Sequence, residues 1–237
     1  MKYLNDVDSK NCVGQVLKSK NFGLFRVLEY RSGNEVVVEF VETGFVKTSA
    51  MKEVRNGSIR DYEKHSVFGV GVNGSKFPVK VDGKTAKEYS VWYEMLRRCY
   101  STVKQKKYPT YIGCSVSENF KRYDYFHDWY SCQVGAYKNF QLDKDLLVKG
   151  NKLYSENTCV LVPIEINNAL TKTDKYRGDF PIGVYFCKSK RGFVSQINRG
   201  SGAQEYLGVF DTPTEAFYEY KKAKEDYLKY LASVWKD

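Results

Sequence analysis

Histidine is scarce in this chain. His65 and His127 are the only two among 237 residues, which leaves no room for several imidazole ligands on one metal and little for a histidine-based triad. Cysteine is present but never paired in sequence: Cys12, Cys99, Cys114, Cys132, Cys159 and Cys187 lie far apart. Neither a zinc knuckle nor a disulfide framework is suggested, and buried thiols are the expectation. No apolar run approaches the roughly 18 residues that span a bilayer, and the first residues lack the apolar core of a secretory signal. A cytoplasmic location with no membrane partner is therefore expected. A phosphate-binding loop is missing too. The glycines of FGVGVNGSKFPVKVDGK, residues 68–84, are closed by no Lys-Ser or Lys-Thr and lack the flanking buried strand and helix.

Basic charge and aromatic rings are plentiful. Lys and Arg number 38 against 28 Asp and Glu, a formal net charge of +10 with pI near 9.1, and this balance favours a polyanionic partner, nucleic acid first. With 42% hydrophobic and 16% aromatic residues the chain is expected to fold, unlike a basic tail. Residues 84–125 concentrate the charge, with nine basic side chains (Lys84, Lys87, Arg97, Arg98, Lys104, Lys106, Lys107, Lys121, Arg122) against four acidic ones. Tyr108, Tyr111, Tyr123 and Tyr125 are interleaved with them, a combination suited to phosphates and sugars but equally to a solvated face over an aromatic core.

Periodicity divides the chain. From Gly14 to about Asp61, short apolar runs alternate as in β-strands, with Ser32-Gly33-Asn34 as a turn, predicting a small β-barrel-like domain. TAKEYSVWYEMLRRCY, residues 85–100, places Tyr89, Trp92, Tyr93, Leu96 and Cys99 at helical spacing. A second helix is expected over KRYDYFHDWYSC, with His127 packed among rings. In the last 60 residues, IGVYFCK, FVSQIN and EYLGVF read as three strands joined by tight turns. A long helix follows, with Thr212 as N-cap, Pro213 first and Glu215 as capping-box partner. Its stripe of Ala216, Phe217, Tyr220, Ala223, Tyr227, Leu228, Leu231 and Trp235 is expected to pack on the sheet, so function falls to the opposite sheet face or its turns.

LDKDLLVKGNKLYSENTCVLVPIEINNAL, residues 142–170, reads as a strand, a Gly-Asn turn, a second strand and a short helix starting near Pro163. Asp143 and Asp145 precede the turn; Asn157, Asn167 and Asn168 follow it. An acid on the first strand and an amide on the helix could share one hard divalent cation, with water completing its shell.

Together with WYEMLRRCYSTVKQKKYPTYIGCSVSENFKRYDYFHDWY, this segment resembles the HNH-type homing endonuclease-like proteins common in phages, over about residues 85–172. The resemblance implies an HNH-like ββα core in which Asp143 binds metal, Asn157 braces the hairpin and Asn167 completes the site with Mg or Mn. Lys144 stands where the general-base histidine belongs. A lysine between two carboxylates is expected as an ammonium and has no lone pair with which to deprotonate water.

The C-terminal segment, PIGVYFCKSKRGFVSQINRG followed by YLGVFDTPTEAFYEYKKAKEDYL, resembles the ethylene-response-factor DNA-binding domain and its phage relatives. In that family the exposed sheet face lies in the major groove. The matching positions here are Tyr185, Cys187, Gln196, Asn198, Gln204 and Tyr206, alternating with core-facing Val184, Phe186, Phe193, Ile197 and Leu207. Gln and Asn can read base edges, and Lys188, Lys190, Arg191 and Arg199 can reach phosphates.

The expected architecture is a modular α+β protein: a small β domain over residues 1–64, an HNH-like domain over 65–173, and a three-stranded antiparallel sheet packed on one long helix over 178–237. The expected function is binding of double-stranded DNA by a phage-type protein with an HNH-like, catalytically degenerate core. Two alternatives stand beside it: an active Mg-dependent endonuclease, and a regulator or inhibitor of a host protein.

Overall fold

The computed structural model describes residues 11–136, 138, 140–170, 179–200 and 202–236. The expected boundaries at 173 and 178 lie outside them. The chain is mixed α+β and divides into two compact units. One contains residues up to Gln133 together with Lys144–Cys159; the other contains Val134–Asp143 and Val160 onward.

The first unit opens with strands β1 (Val16–Ser19), β2 (Gly23–Ser32), β3 (Glu35–Phe40) and β4 (Val46–Ser49), an antiparallel sheet in sequence order. In β3 the expected alternation holds: Val36, Val38 and Phe40 are fully buried, joining Phe25 and Val27 of β2. The short helix α1 (Met51–Asn56) adds Met51 and Val54 to this core. It stops at Gly57, whose φ of 66° suits glycine and lets its N–H reach the Glu53 and Val54 carbonyls.

The glycine-rich stretch that follows holds two small hairpins, β5 (His65–Val67) with β6 (Gly71–Val72), and β7 (Lys80–Val81) with β8 (Lys84–Thr85). Beyond them come α2 (Lys87–Tyr100), α3 (Thr102–Lys107), β9 (Ser115–Val116) and α4 (Tyr123–Ser131). Helices α2 and α4 face each other through an aromatic core of Trp92, Phe120, Tyr123, Phe126 and Tyr130, all fully buried. The Trp92 indole N–H donates to the Phe120 carbonyl at 2.7 Å, so the buried ring keeps its polar edge satisfied. His127 stacks on Phe77 with centroids 3.6 Å apart. This region and the β-sheet share a unit, and Arg122 holds Glu63 in a two-pronged ion pair at 2.6 and 2.9 Å.

The second unit begins with β10 (Phe140–Asp143), which pairs antiparallel with β12 (Val160–Pro163) and leads directly into α5 (Ile164–Leu170). The expected succession of strand, second strand and short helix near Pro163 is met by β10, β12 and α5, and one further strand lies between β10 and β12 in sequence, within the first unit. Leu142 lies opposite Leu161, and the residues just after the Gly150-Asn151 turn do not return along β10. They form β11 (Leu153–Tyr154), which pairs in parallel with β9. The reason is local: Asn151 and Lys144 hold the intervening segment in its own set of hydrogen bonds, so the turn does not close a hairpin.

The C-terminal sheet has the order β13 (Val184–Cys187), β14 (Gly192–Asn198), β15 (Gln204–Phe210), all antiparallel. It is followed by α6 (Pro213–Val234), which packs along it. Thr212 and Glu215 form the expected capping box, and Ala216, Tyr227 and Leu231 of the expected stripe are buried.

Candidate functional site

Register fixes which side chains share a face of the C-terminal sheet. Paired residues lie on one face and neighbours along a strand on opposite faces. Val184 pairs with Ser195, and Ser195 with Gly208. Val184, Ser195 and Gly208 thus share one face, on which Ser195 and, two residues on, Ile197 are buried. The other face carries Tyr185 opposite Val194 and Val209, Gln196 opposite Tyr206, and Asn198 opposite Gln204. Tyr185 and Tyr206 are 43% and 55% exposed, and Val194 is buried. Tyr185, Gln196, Asn198, Gln204 and Tyr206 therefore share one face, on which the two tyrosines are exposed while Gln196, Asn198 and Gln204 also line a cavity with Tyr220, Lys224 and Tyr227 of α6. Two expected core residues differ in detail: Phe186, on the edge strand, is 46% exposed, and Leu207 sits at the register shift opposite Ser195 and Gln196.

The turn residues are not equivalent. Lys188, Lys190 and Arg191 cluster between β13 and β14, with the Lys190 ammonium 4.1 Å above the Tyr206 ring. Arg199 is engaged within its unit: its guanidinium grips Glu205 at 2.6 and 3.2 Å, and its carbonyl accepts the Tyr227 hydroxyl at 2.7 Å. The carboxylates Glu215, Glu219, Glu225 and Asp226 all lie on α6.

In the first unit the two expected DNA contacts on α2 converge on one carboxylate. Glu94 is 3.2 Å from Arg97, 3.7 Å from Arg98 and 2.6 Å from Lys104. Burial pushes the Glu94 carboxyl up, but Lys104 and the two arginines outweigh it and hold the group below its ordinary range. Arg98 also lies over the Tyr111 ring, 5.5 Å from its centre, and contributes to packing more than to a surface. Lys106 and Lys107 at the end of α3 remain exposed.

The expected metal and base residues fall in both units. Asp143 and Asn167 belong to the second. Asn167 donates to the Gln141 side chain at 2.6 Å, and Gln141 and Asp143 are alternate residues of β10 that share a face, so α5 sets its amide above the strand face that carries the acid. One carboxylate with amide and water oxygens is a donor set that Mg accepts when substrate phosphate completes it. Among the described residues, no three His, Cys, Asp or Glu side chains cluster to hold a metal unaided.

Lys144 and Asn157 belong to the first unit. Lys144 is buried, and its ammonium donates to Asp145 and to the Asn151 carbonyl, each at 2.6 Å. Asn151 in turn donates to the carbonyls of Lys144 and Leu153, at 2.9 and 2.6 Å, and accepts from the Leu153 N–H at 3.0 Å. The bracing amide of this segment is thus Asn151, while Asn157 lies exposed on the turn after β11. The Gly-Asn turn dipeptide was the signal for Asn151, though its side-chain partners depend on a buried lysine seven residues earlier. Beside Asn157, Glu156 accepts from Ser117 and Asn119, tying that turn to the start of the aromatic region.

With these arrangements defined, comparison of the chain with family models, curated proteins and solved structures finds no match, so its function rests on the residues themselves.

Proposed function

We propose that this chain is a modular, phage-type protein that binds double-stranded DNA, with a barrel-like β domain, an HNH-like ββα core and an ethylene-response-factor-like C-terminal module. The observation that carries the reading is the Tyr185 and Tyr206 face of the C-terminal sheet. It joins exposed tyrosine rings to the amides of Gln196, Asn198 and Gln204, and the basic turn Lys188, Lys190 and Arg191 borders it. Amides suit base edges, while the turn cations suit phosphates. The net charge of +10 draws the molecule to a polyanion.

Binding to mixed-sequence duplexes, titrated with salt and read by fluorescence anisotropy, tests this. A duplex held at low salt and released as salt rises supports the proposal, and no binding at low salt removes it.

A second reading is a Mg-dependent nuclease, favoured by the placement of the Asn167 amide over the strand face that bears Asp143. Asp143 would hold the ion, which would supply charge stabilisation at a phosphate. Lys144, whose ammonium is committed to Asp145 and the Asn151 carbonyl, would serve the fold and not act as a base. Incubation of the same duplexes or phage genomic DNA with Mg or Mn separates the readings. Cleavage that Asp143→Ala abolishes supports the nuclease, whereas binding without cleavage supports the degenerate scaffold.

A further inference from the structure

The segment between Lys144 and Tyr154 sets three consecutive aliphatic side chains in solvent. Leu146, Leu147 and Val148 are 44%, 55% and 51% exposed. Contiguous exposed aliphatics of this kind mark contact sites more often than accidents of folding. The tip is also held rather than loose. The Asn151 N–H closes a turn onto the Val148 carbonyl at 3.0 Å, and Gly150 takes the left-handed φ of 77° that the turn requires. Beneath it, Lys144 and Asn151 bond reciprocally across the base of the segment.

Its surroundings are cationic. The Lys152 ammonium donates to the Thr110 carbonyl at 2.7 Å, and the Ser115 N–H donates to the Lys152 carbonyl at 2.9 Å, which lays the segment beside residues 101–117. Neither 101–117 nor 146–155 contains an Asp or Glu, and between them they carry Lys104, Lys106, Lys107, Lys149 and Lys152. Only Lys104 of these has an ion-pair partner in Glu94 among the described residues. A rigid apolar tip beside a run of lysines, with Asp145 at its base paired to Lys144, is complementary to a polyanion that offers an apolar interior, and stacked bases behind a phosphate wall have that character.

We infer that Leu146, Leu147 and Val148 form a wedge that enters the minor groove of duplex DNA and partly unstacks a base step, while Lys106, Lys107 and Lys149 neutralise the flanking phosphates. The inference rests on the DNA-binding reading above and adds a second contact surface with a mechanical effect on the duplex. A groove about 6 Å wide admits one narrow turn of this kind, and aliphatic insertion kinks the helix axis.

The test uses the full chain without divalent metal and mixed-sequence 30-base-pair duplexes that carry 2-aminopurine at internal steps and a donor–acceptor pair at their ends. The wild type should raise 2-aminopurine fluorescence and end-to-end energy transfer on binding. L147S/V148S, whose altered side chains are both more than half exposed, should keep the wild-type melting temperature, lose both signals and bind about tenfold more weakly. L147M/V148I should restore them. Binding by the wild type without either signal, or unchanged signals in L147S/V148S, overturns the wedge but leaves DNA binding standing. Failure of the wild type to bind at low salt overturns both.

Discussion

Asn151 carries more of the local structure than its place in a surface turn suggests. It satisfies two carbonyls and one N–H, and the carbonyl of its own residue receives the buried Lys144 ammonium. Asn151→Ala leaves those groups short of partners and should destabilise the protein by about 1–3 kcal/mol, measured by urea denaturation. Gly183 is constrained in a different way. Its φ is 79°, and a Cβ there would lie 2.1 Å from the Tyr220 ring. Gly183→Ala should therefore lower stability by at least about 2 kcal/mol, through both backbone strain and displacement of Tyr220 from α6; a melting temperature equal to wild type would contradict that placement. At this scale the sequence was an uneven guide. The residues that share the Tyr185 and Tyr206 face follow from strand alternation, a period of two. The bracing role fell to Asn151 and not to Asn157, because it depends on where a lysine seven residues away is buried, and no local pattern encodes that.

Among the elements, α6 was the most legible. Its capping box, its proline start and its apolar stripe all act within one helical period, and all are present. Thr212→Ala removes the hydroxyl that accepts the Glu215 N–H and should cost about 1 kcal/mol, seen as a lower melting temperature. The β character of the first two runs of the N-terminal sheet was legible from apolar alternation, whereas VRNGSIRD, expected to continue it, begins as the last turn of α1. The pairing of β9 with β11 was not legible, since it joins residues distant in sequence and the turn between β10 and β11 imitates a hairpin. A further link between elements is electrostatic. The Arg122 guanidinium, by hydrogen bonding, holds the Glu63 carboxyl below its ordinary value of 4.5. A carboxylate whose pKa is lowered by folding adds stability that is fully present above that ordinary value and is lost as pH falls through the folded-state one. The acid limb of a stability–pH curve, from about pH 4.5 downward, should therefore be shallower for Glu63→Gln than for the wild type, by urea midpoints at each pH. Equal slopes would show that the pair contributes nothing across this junction.

The whole molecule is a strongly basic one whose cations are unevenly committed. Arg97, Arg98 and Lys104 share Glu94, and Arg199 is held by Glu205, whereas Lys188, Lys190 and Arg191 lie together in the turn beside the tyrosine and amide face. Composition made the basic excess plain, but only the fold separates cations that neutralise a neighbouring carboxylate from those of the turn between β13 and β14. The described helices include none long and apolar enough to cross a membrane. The most direct test of DNA binding through this face is the salt dependence of binding for wild type and for K190Q/R191Q on the same duplex. The account predicts a linear fall of log affinity with log salt in the wild type, a slope shallower by roughly two in the variant, and weaker binding on every sequence. Equal slopes and affinities for the two proteins, or a wild-type affinity indifferent to salt, would contradict it.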